Sequence, residues 1–231
     1  MNRICKDNEP PEWKAFRETE GVEFQAIPEL KNALLQEQGH LCAYCMRRIP
    51  VSGKGEYPSI NHEPLPLEER EKMRVEHIKP RRYTELIFAY ENLLACCPGA
   101  ISGNAKKETH CDRKKDEDEI SFDIFSPAFI DTLSYASGTG KIMSSNDSYD
   151  QEINHILGLN NKLLAEKRRQ ALEGALSQLQ KIDKWGRAEV QKSLQNWQSA
   201  YTVDGKRYFK EYNGIVVWFL KRWLERNTAR S

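Results

Sequence analysis

Two groups of side chains in this 231-residue chain have types and spacings that could do chemistry. The first is the pair Glu76-His77 in Arg74-Val75-Glu76-His77-Ile78, together with Asp112 and Lys115 in His110-Cys111-Asp112-Arg113-Lys114-Lys115. An imidazole can take a proton at neutral pH, and a carboxylate is a hard oxygen ligand for a divalent cation. Asp112 reads as the first residue of a helix, its carboxylate free to join Glu76 on one ion, with Lys115 one turn further along the same face. Two carboxylates, an imidazole and a lysine suit phosphodiester cleavage. A bound cation offsets charge on the nonbridging and leaving 3′ oxygens, the imidazole deprotonates water, and the lysine offsets charge on the phosphorane. Mg²⁺ fits one or two carboxylates with several waters retained.

The second group is sulfur. Cys42-Ala43-Tyr44-Cys45 lets two thiolates reach one ion from a tight turn, at about 2.3 Å each for zinc. Cys97 and Cys111 supply the other corners of a tetrahedron, although Cys96 stands next to Cys97 as an alternative ligand. Four protein ligands leave no open position, so a zinc ion there is structural and does no chemistry. The competing reading is that Cys96 and Cys97 are small buried residues. Cys5 belongs to no pattern.

Elements must position these groups. Arg74–Ile78 reads as a short strand stopped at Lys79-Pro80. Neighbouring strand residues face opposite ways, so Glu76 and His77 can serve one cleft only at a strand end or bulge. Residues 1–38 are polar and hold a short helix in Pro28–His40, with Leu30, Leu34 and Leu35 on one face and Gly39 ending it. Residues 39–120 are rich in turn formers, among them Pro50, Gly53, Gly55, Pro64, Pro66, Pro98-Gly99 and Ser102-Gly103, and a loop-rich module with a small core needs a staple. Residues 121–231 turn helical after a strand pair expected to turn at Ser137-Gly138. Asn160 is the expected N-cap of a helix carrying Leu164, Leu172, Leu176 and Leu179, followed by helices in 187–200 and 212–226. The last is apolar nearly all round, so it is buried in this chain or against another. The run Asp116–Glu119 reads as a solvated helix end. The expected fold class is therefore α+β and mostly helical, with a stapled module at 39–120, an N-terminal helical extension at 1–38 and a mainly helical region at 121–231.

Composition narrows the class. Lys+Arg 35 against Asp+Glu 34 gives no global basic field, but Lys72–Lys115 holds ten basic against five acidic residues, a local patch that can recruit phosphate. No apolar run approaches the roughly 20 residues of a membrane span. The segment at 1–14 lacks the apolar core of a secretory signal, so a cytoplasmic chain with reduced thiols is expected.

Taken together, Cys42-Ala-Tyr-Cys45, Val75-Glu-His-Ile-Lys-Pro-Arg81, Asn92-Leu-Leu-Ala-Cys-Cys97 and His110-Cys-Asp-Arg-Lys-Lys115 resemble the His-Asn-His (HNH) endonucleases with a zinc-stapled ββα-metal finger. More narrowly, they are similar to the HNH nuclease subunit of Septu-type anti-phage systems, including those attached to retrons. The resemblance reaches from about residue 2 to the segment ending near Leu172. It implies His77 as general base, Asn92 as the residue that holds the loop and the histidine, and Glu76 and Asp112 as ligands of a catalytic Mg²⁺ or Mn²⁺. It also implies Lys115 as a cation on the phosphate side, and Cys42, Cys45, Cys97 and Cys111 as zinc ligands, with Cys97 preferred for its distance from Asn92. Two departures stand out. The third position is Asp rather than His or Asn, which favours hard cations, and the acid before the base is Glu rather than Asp. His110 is an alternative at the third position or a supporting residue. His40, His62 and His155 read as ordinary surface or helix residues.

Such a finger reads backbone more than bases, with Lys79, Arg81, Arg82, Lys106, Lys107, Arg113 and Lys114 as candidates for phosphate contact. DNA is favoured and RNA is possible. The near-neutral total charge implies that a second protein supplies part of the grip, and the resemblance implies an ABC/SMC-like ATPase, docked on 121–231 and above all on the Trp218/Phe219/Trp223 helix. The alternative functions are an RNA- or tRNA-cleaving effector and a non-catalytic zinc module.

Overall fold

A computed structural model describes residues 1–49, 73–99 and 109–228. The turn formers between 50 and 66, His62, Lys106 and Lys107 lie outside the described residues.

Proline starts the first two helices, α1 (Pro11–Arg17) and α2 (Pro28–Glu37), at a position where a missing N–H costs nothing. Trp13 of α1 is wholly buried among Phe16, Phe24 and Phe88, and its indole N–H donates to the Phe88 carbonyl at 3.2 Å. Leu30, Leu34 and Leu35 form the buried stripe of α2, as their spacing predicts. Gly39 ends it at φ +58, where a Cβ would collide with the Phe209 ring. The chain then folds into a knuckle closed by the Leu41–Arg48 bridge and by Cys42 N–H on the Arg47 carbonyl at 2.8 Å.

Strand β1 (Arg74–His77) pairs antiparallel with β2 (Leu93–Cys96), with Glu76 opposite Leu94 and His77 opposite Leu93. A two-stranded ribbon is marginal alone. This one is braced from the side by Gln38, whose amide accepts from Ala95 N–H and donates to the Ala95 carbonyl, both at 2.8 Å. Ala43 N–H adds a further bond to that carbonyl. One short helical turn, α3 (Asp112–Lys115), follows in the order strand, strand, helix.

Beyond it lie α4 (Pro127–Thr132), the hairpin β3 (Leu133–Tyr135) and β4 (Ile142–Ser144), and α5 (Asp147–Gln151), which runs into a π turn at Glu152–Ile156. Next come α6 (Lys162–Gln180), α7 (Arg187–Gln198), the hairpin β5 (Tyr201–Val203) and β6 (Lys206–Tyr208), and α8 (Asn213–Thr228). The architecture is α+β with helices dominant and, among the described residues, three two-stranded sheets. One apolar core runs through all three sequence zones, from Trp13 and Leu30 through Leu93 and Cys111 to Ile215 and Leu224.

Three expectations are corrected. Residues 127–132 are helical before the strand pair begins. The cap of α6 is Asn161, whose side chain accepts from Leu164 N–H at 2.9 Å, while Asn160 instead ties itself to the Ile142 backbone. The β5–β6 hairpin was not anticipated, although its turn residues Asp204 and Gly205 both sit at positive φ, as a tight hairpin demands. The last helix, α8, lies largely against this chain, while Val217, Trp218, Phe219 and Trp223 stay partly exposed. It packs on α6, α7 and β3; Ile215, Val216, Leu220 and Leu224 are buried, Trp223 packs against Trp185, and Trp218 against Tyr135.

Candidate metal centre and neighbouring polar cluster

The sulfur atoms of Cys42, Cys45, Cys97 and Cys111 all lie within 4.8 Å of one another, and all four residues are buried. Each comes from a place where the backbone turns. Cys42 and Cys45 flank the knuckle's tip, where Met46 N–H returns to the Cys42 carbonyl at 3.0 Å. Cys97 follows the end of β2. Cys111 sits at φ +56 just ahead of α3, its N–H on the Leu157 carbonyl at 2.8 Å. Burial opposes charge on Cys42, but hydrogen bonds from Cys111, Cys45, Cys96 and Cys97 outweigh it and hold its thiol well below the usual range. Burial pushes the Cys111 thiol up. Four buried sulfurs drawn together are the donor set that zinc takes, and this cluster could hold a metal ion such as zinc. The four sulfurs include Cys97 and leave Cys96 outside.

His110 belongs to this centre. Its Nδ1 lies 3.1 Å from Cys111 Sγ and 3.8 Å from Cys97 Sγ, so the alternative of His110 as a third-position ligand beside Glu76 is set aside. His40 is also not a surface residue; it is buried, stacked on Tyr208 at 4.3 Å. His155 is exposed, as expected.

On the other side of the β1–β2 ribbon, Glu76 is 2% exposed. Its Oε1 accepts from Tyr44 Oη at 2.8 Å and from Lys115 Nζ at 3.0 Å. Burial, then hydrogen bonding with the Asp112 carboxyl, pushes Glu76 up to about 8. Asp112 is in turn paired with the Arg74 guanidinium. Lys115 has no exposed surface. It divides its ammonium between Glu76 and the His77 carbonyl, so it faces inward to hold the carboxylate and is not presented to a phosphate in solution.

His77 closes β1, the strand-end position that frees it to turn from its neighbour's side. Its Nε2 lies 3.0 Å from the Ile87 carbonyl, which accepts the ring proton. That fixes the neutral tautomer and leaves a lone pair on Nδ1, toward which Arg81 Nε points at 3.4 Å. Burial holds the ring down to about 4, so it is an uncharged base at neutral pH. Phe24 packs edge-on at 4.7 Å, and Arg81 lies over Phe24 at 5.1 Å. Asn92 is buried and fastens the turn that follows. It accepts from Lys79 N–H at 2.7 Å and donates to the Lys79 and Leu86 carbonyls at 3.0 and 3.1 Å.

The structure therefore brings Glu76, Asp112 and Lys115 together, with His77 beside them and Asn92 behind the loop. Of the basic candidates, Arg113 and Lys114 are exposed, Arg81 leans on His77, and Lys79 and Arg82 are drawn onto the acidic run, which is not merely solvated: Glu119 pairs with both. Sequence reasoning missed Tyr44, Arg74, Phe24 and Gln38. Tyr44 carried a signal, an aromatic between two ligand cysteines; the others meet the site only through the fold.

No family model matches the chain, and no curated protein matches it.

Proposed function

We propose that the chain is a metal-dependent HNH-type endonuclease that hydrolyses phosphodiester bonds of nucleic acid, DNA being the favoured substrate. One observation carries the reading: a neutral imidazole, aimed by the Ile87 carbonyl, ends the strand whose preceding residue meets the Asp112 carboxyl. The order β1, β2, α3 around a four-cysteine cluster supports a zinc-stapled ββα finger.

Glu76 and Asp112 are the carboxyls that would hold a hard divalent cation, which would take over part of the contacts they make here with Lys115 and Arg74. Mg²⁺ held there would supply charge neutralisation at a scissile phosphate. The protein's own residues do the rest. His77 Nδ1 accepts the proton of the attacking water once Arg81, which donates to that atom here, moves aside, while the bond to Ile87 keeps the ring in the tautomer that can do so. Lys115 holds Glu76 in place, and Asn92 holds the Lys79 and Leu86 backbone against which the base is set.

We further propose, from the motif resemblance and the near-neutral charge, that this nuclease is the effector subunit of an anti-phage complex with an ABC/SMC-like ATPase. The docking surface lies on 121–228, where Trp218, Phe219 and Trp223 of α8 keep part of their surface exposed.

The test is cleavage of plasmid DNA and of total RNA with Mg²⁺ or EDTA, by the wild type and by His77→Ala, each with and without the ATPase partner. The expected result is Mg²⁺-dependent DNA cleavage that falls by about 10²-fold or more in His77→Ala. Equal cleavage by both would remove His77 from the chemistry. Cleavage of RNA alone would move the substrate, and no cleavage by any sample would leave the zinc module reading.

A further inference from the structure

We infer that Lys79, Arg82 and Tyr83 form a phosphate-binding subsite for the nucleic-acid backbone, and that the chain's own Glu119 occupies it as an internal anion. The inference rests on the nuclease reading and adds a subsite and its regulation to it.

Three donors of different kinds converge on one carboxylate. Lys79 Nζ meets Glu119 Oε2 at 3.0 Å, Tyr83 Oη donates to Oε1 at 2.7 Å, and Arg82 donates to the same oxygen through Nη2. The other Arg82 terminal nitrogen donates to the Glu117 carbonyl, with the Glu117 carboxylate 3.9 Å away. The hydroxyl and the two cations pull Glu119 down to about 2, so it stays an anion at any working pH. An ammonium, a fork-shaped guanidinium and a hydroxyl around one oxyanion are the groups that hold a phosphate.

Position ties this cluster to the proposed chemistry. All three donors lie in the turn that leaves His77 and is fastened by Asn92 at Lys79. The acidic strap that answers them leaves α3, the helix carrying Asp112 and Lys115, and begins with Asp116 at φ +48, which turns the chain sharply back. The two sides of the proposed cleft are thus linked across its surface by these ion pairs. The Lys79, Arg82 and Glu119 side chains remain 46%, 49% and 33% exposed, so the pairs are solvated and easily exchanged. A polyanion that supplies a phosphate at this point displaces Glu119, whereas a lone carboxylate in solution competes poorly with a tethered one.

The test is binding of a fluorescent 20-base-pair DNA to the full chain in a His77→Ala background, by anisotropy between 50 and 200 mM salt. The comparison is with Glu117→Gln/Glu119→Gln. Because DNA displaces Glu119 in the parent too, parent and variant neutralise the same phosphates: their log–log salt plots run parallel, with the variant severalfold tighter at every salt. Adding Lys79→Ala and Arg82→Ala abolishes that gain and lowers the slope by about 1.8. Coincident salt plots for parent and variant, with binding intact, overturn this inference and leave the nuclease reading standing. No binding by any protein at 50 mM overturns both. A gain that survives removal of Lys79 and Arg82 assigns the effect to bulk charge and overturns the subsite.

Discussion

Removing one sulfur from the four-cysteine cluster tests the foundation of the site. Cys45→Ser breaks the link between the knuckle and the end of β2, and with it the route by which a metal ion ties Cys42 and Cys45 to Cys97 and Cys111. Treated as cross-links of the unfolded chain, the two closures span about 50 residues (Cys45 to Cys97) and about 14 (Cys97 to Cys111), and restrict it by ~4 and ~3 kcal/mol. A folded chain has about 5–15 kcal/mol to spare, so a loss of about 7 kcal/mol removes half of it or more. At ~2–4 °C per kcal/mol for a chain of this size, the melting temperature falls by about 15–25 °C. The assay is differential scanning calorimetry beside elemental analysis, on wild type and variant grown with zinc. The expected result is one zinc per wild-type chain, little in the variant, and a matching fall on chelation of the wild type. A wild type that holds no zinc, or a variant melting within about 3 °C of it, refutes the reasoning.

Other outcomes follow from the same geometry. Cys96→Ser keeps its zinc and Cys97→Ser loses it, by elemental analysis, because only Cys97 is among the four clustered sulfurs; the reverse result would reassign the ligand. Asn92→Ala leaves the Lys79 and Leu86 backbone groups unpaired in a buried site and costs about 3 kcal/mol in urea unfolding, and an unchanged midpoint would contradict this role. His40 is held down to about 4 by burial, then by Arg48 and Lys206, against an ordinary 6.5. Below pH 6.5 the unfolded state takes up a proton that the folded state refuses. His40 thus subtracts stability progressively as pH falls from about 6.5 to about 4, and has no effect above that window. His40→Asn, whose side chain suits the φ of +59, makes the slope shallower, with His77 and His110 keeping their own share; identical slopes in wild type and variant would exclude it.

Local signals in the sequence were read well where one element decides the answer. The stripe Leu30, Leu34, Leu35 gave α2, and Gly39 gave its end, since periodicity and a positive φ need no partner. Cysteine spacing anticipated the cluster because four thiols in one small module have few other uses. The errors lie where the partner is distant in sequence. The acidic run looked solvated, yet Glu119 meets Lys79 and Tyr83 some forty positions away. An all-round apolar helix announces burial without saying against what, and α8 packs on α6 and α7 with Trp218, Phe219 and Trp223 still partly exposed. Lys115 reads in the sequence as a cation on the phosphate side, and nothing local shows that the fold closes over it. Asn160 and Asn161 were confused because either side chain can cap, and a single residue decides which one faces the backbone of Ile142.

The brace that Gln38 and Ala43 place on Ala95 has a consequence for alignment. A four-residue ribbon whose partner slipped by one position would exchange inside for outside, sending Glu76 away from Asp112 and bringing Val75 or His77 in its place. Ala43 lies between Cys42 and Cys45, and Cys97 lies two positions beyond Ala95, so whatever ion those thiols grip also sets the phase of the ribbon. Sulfur chemistry on one side thereby indexes the oxygen and nitrogen groups on the other, much as a pin sets the teeth of a zip.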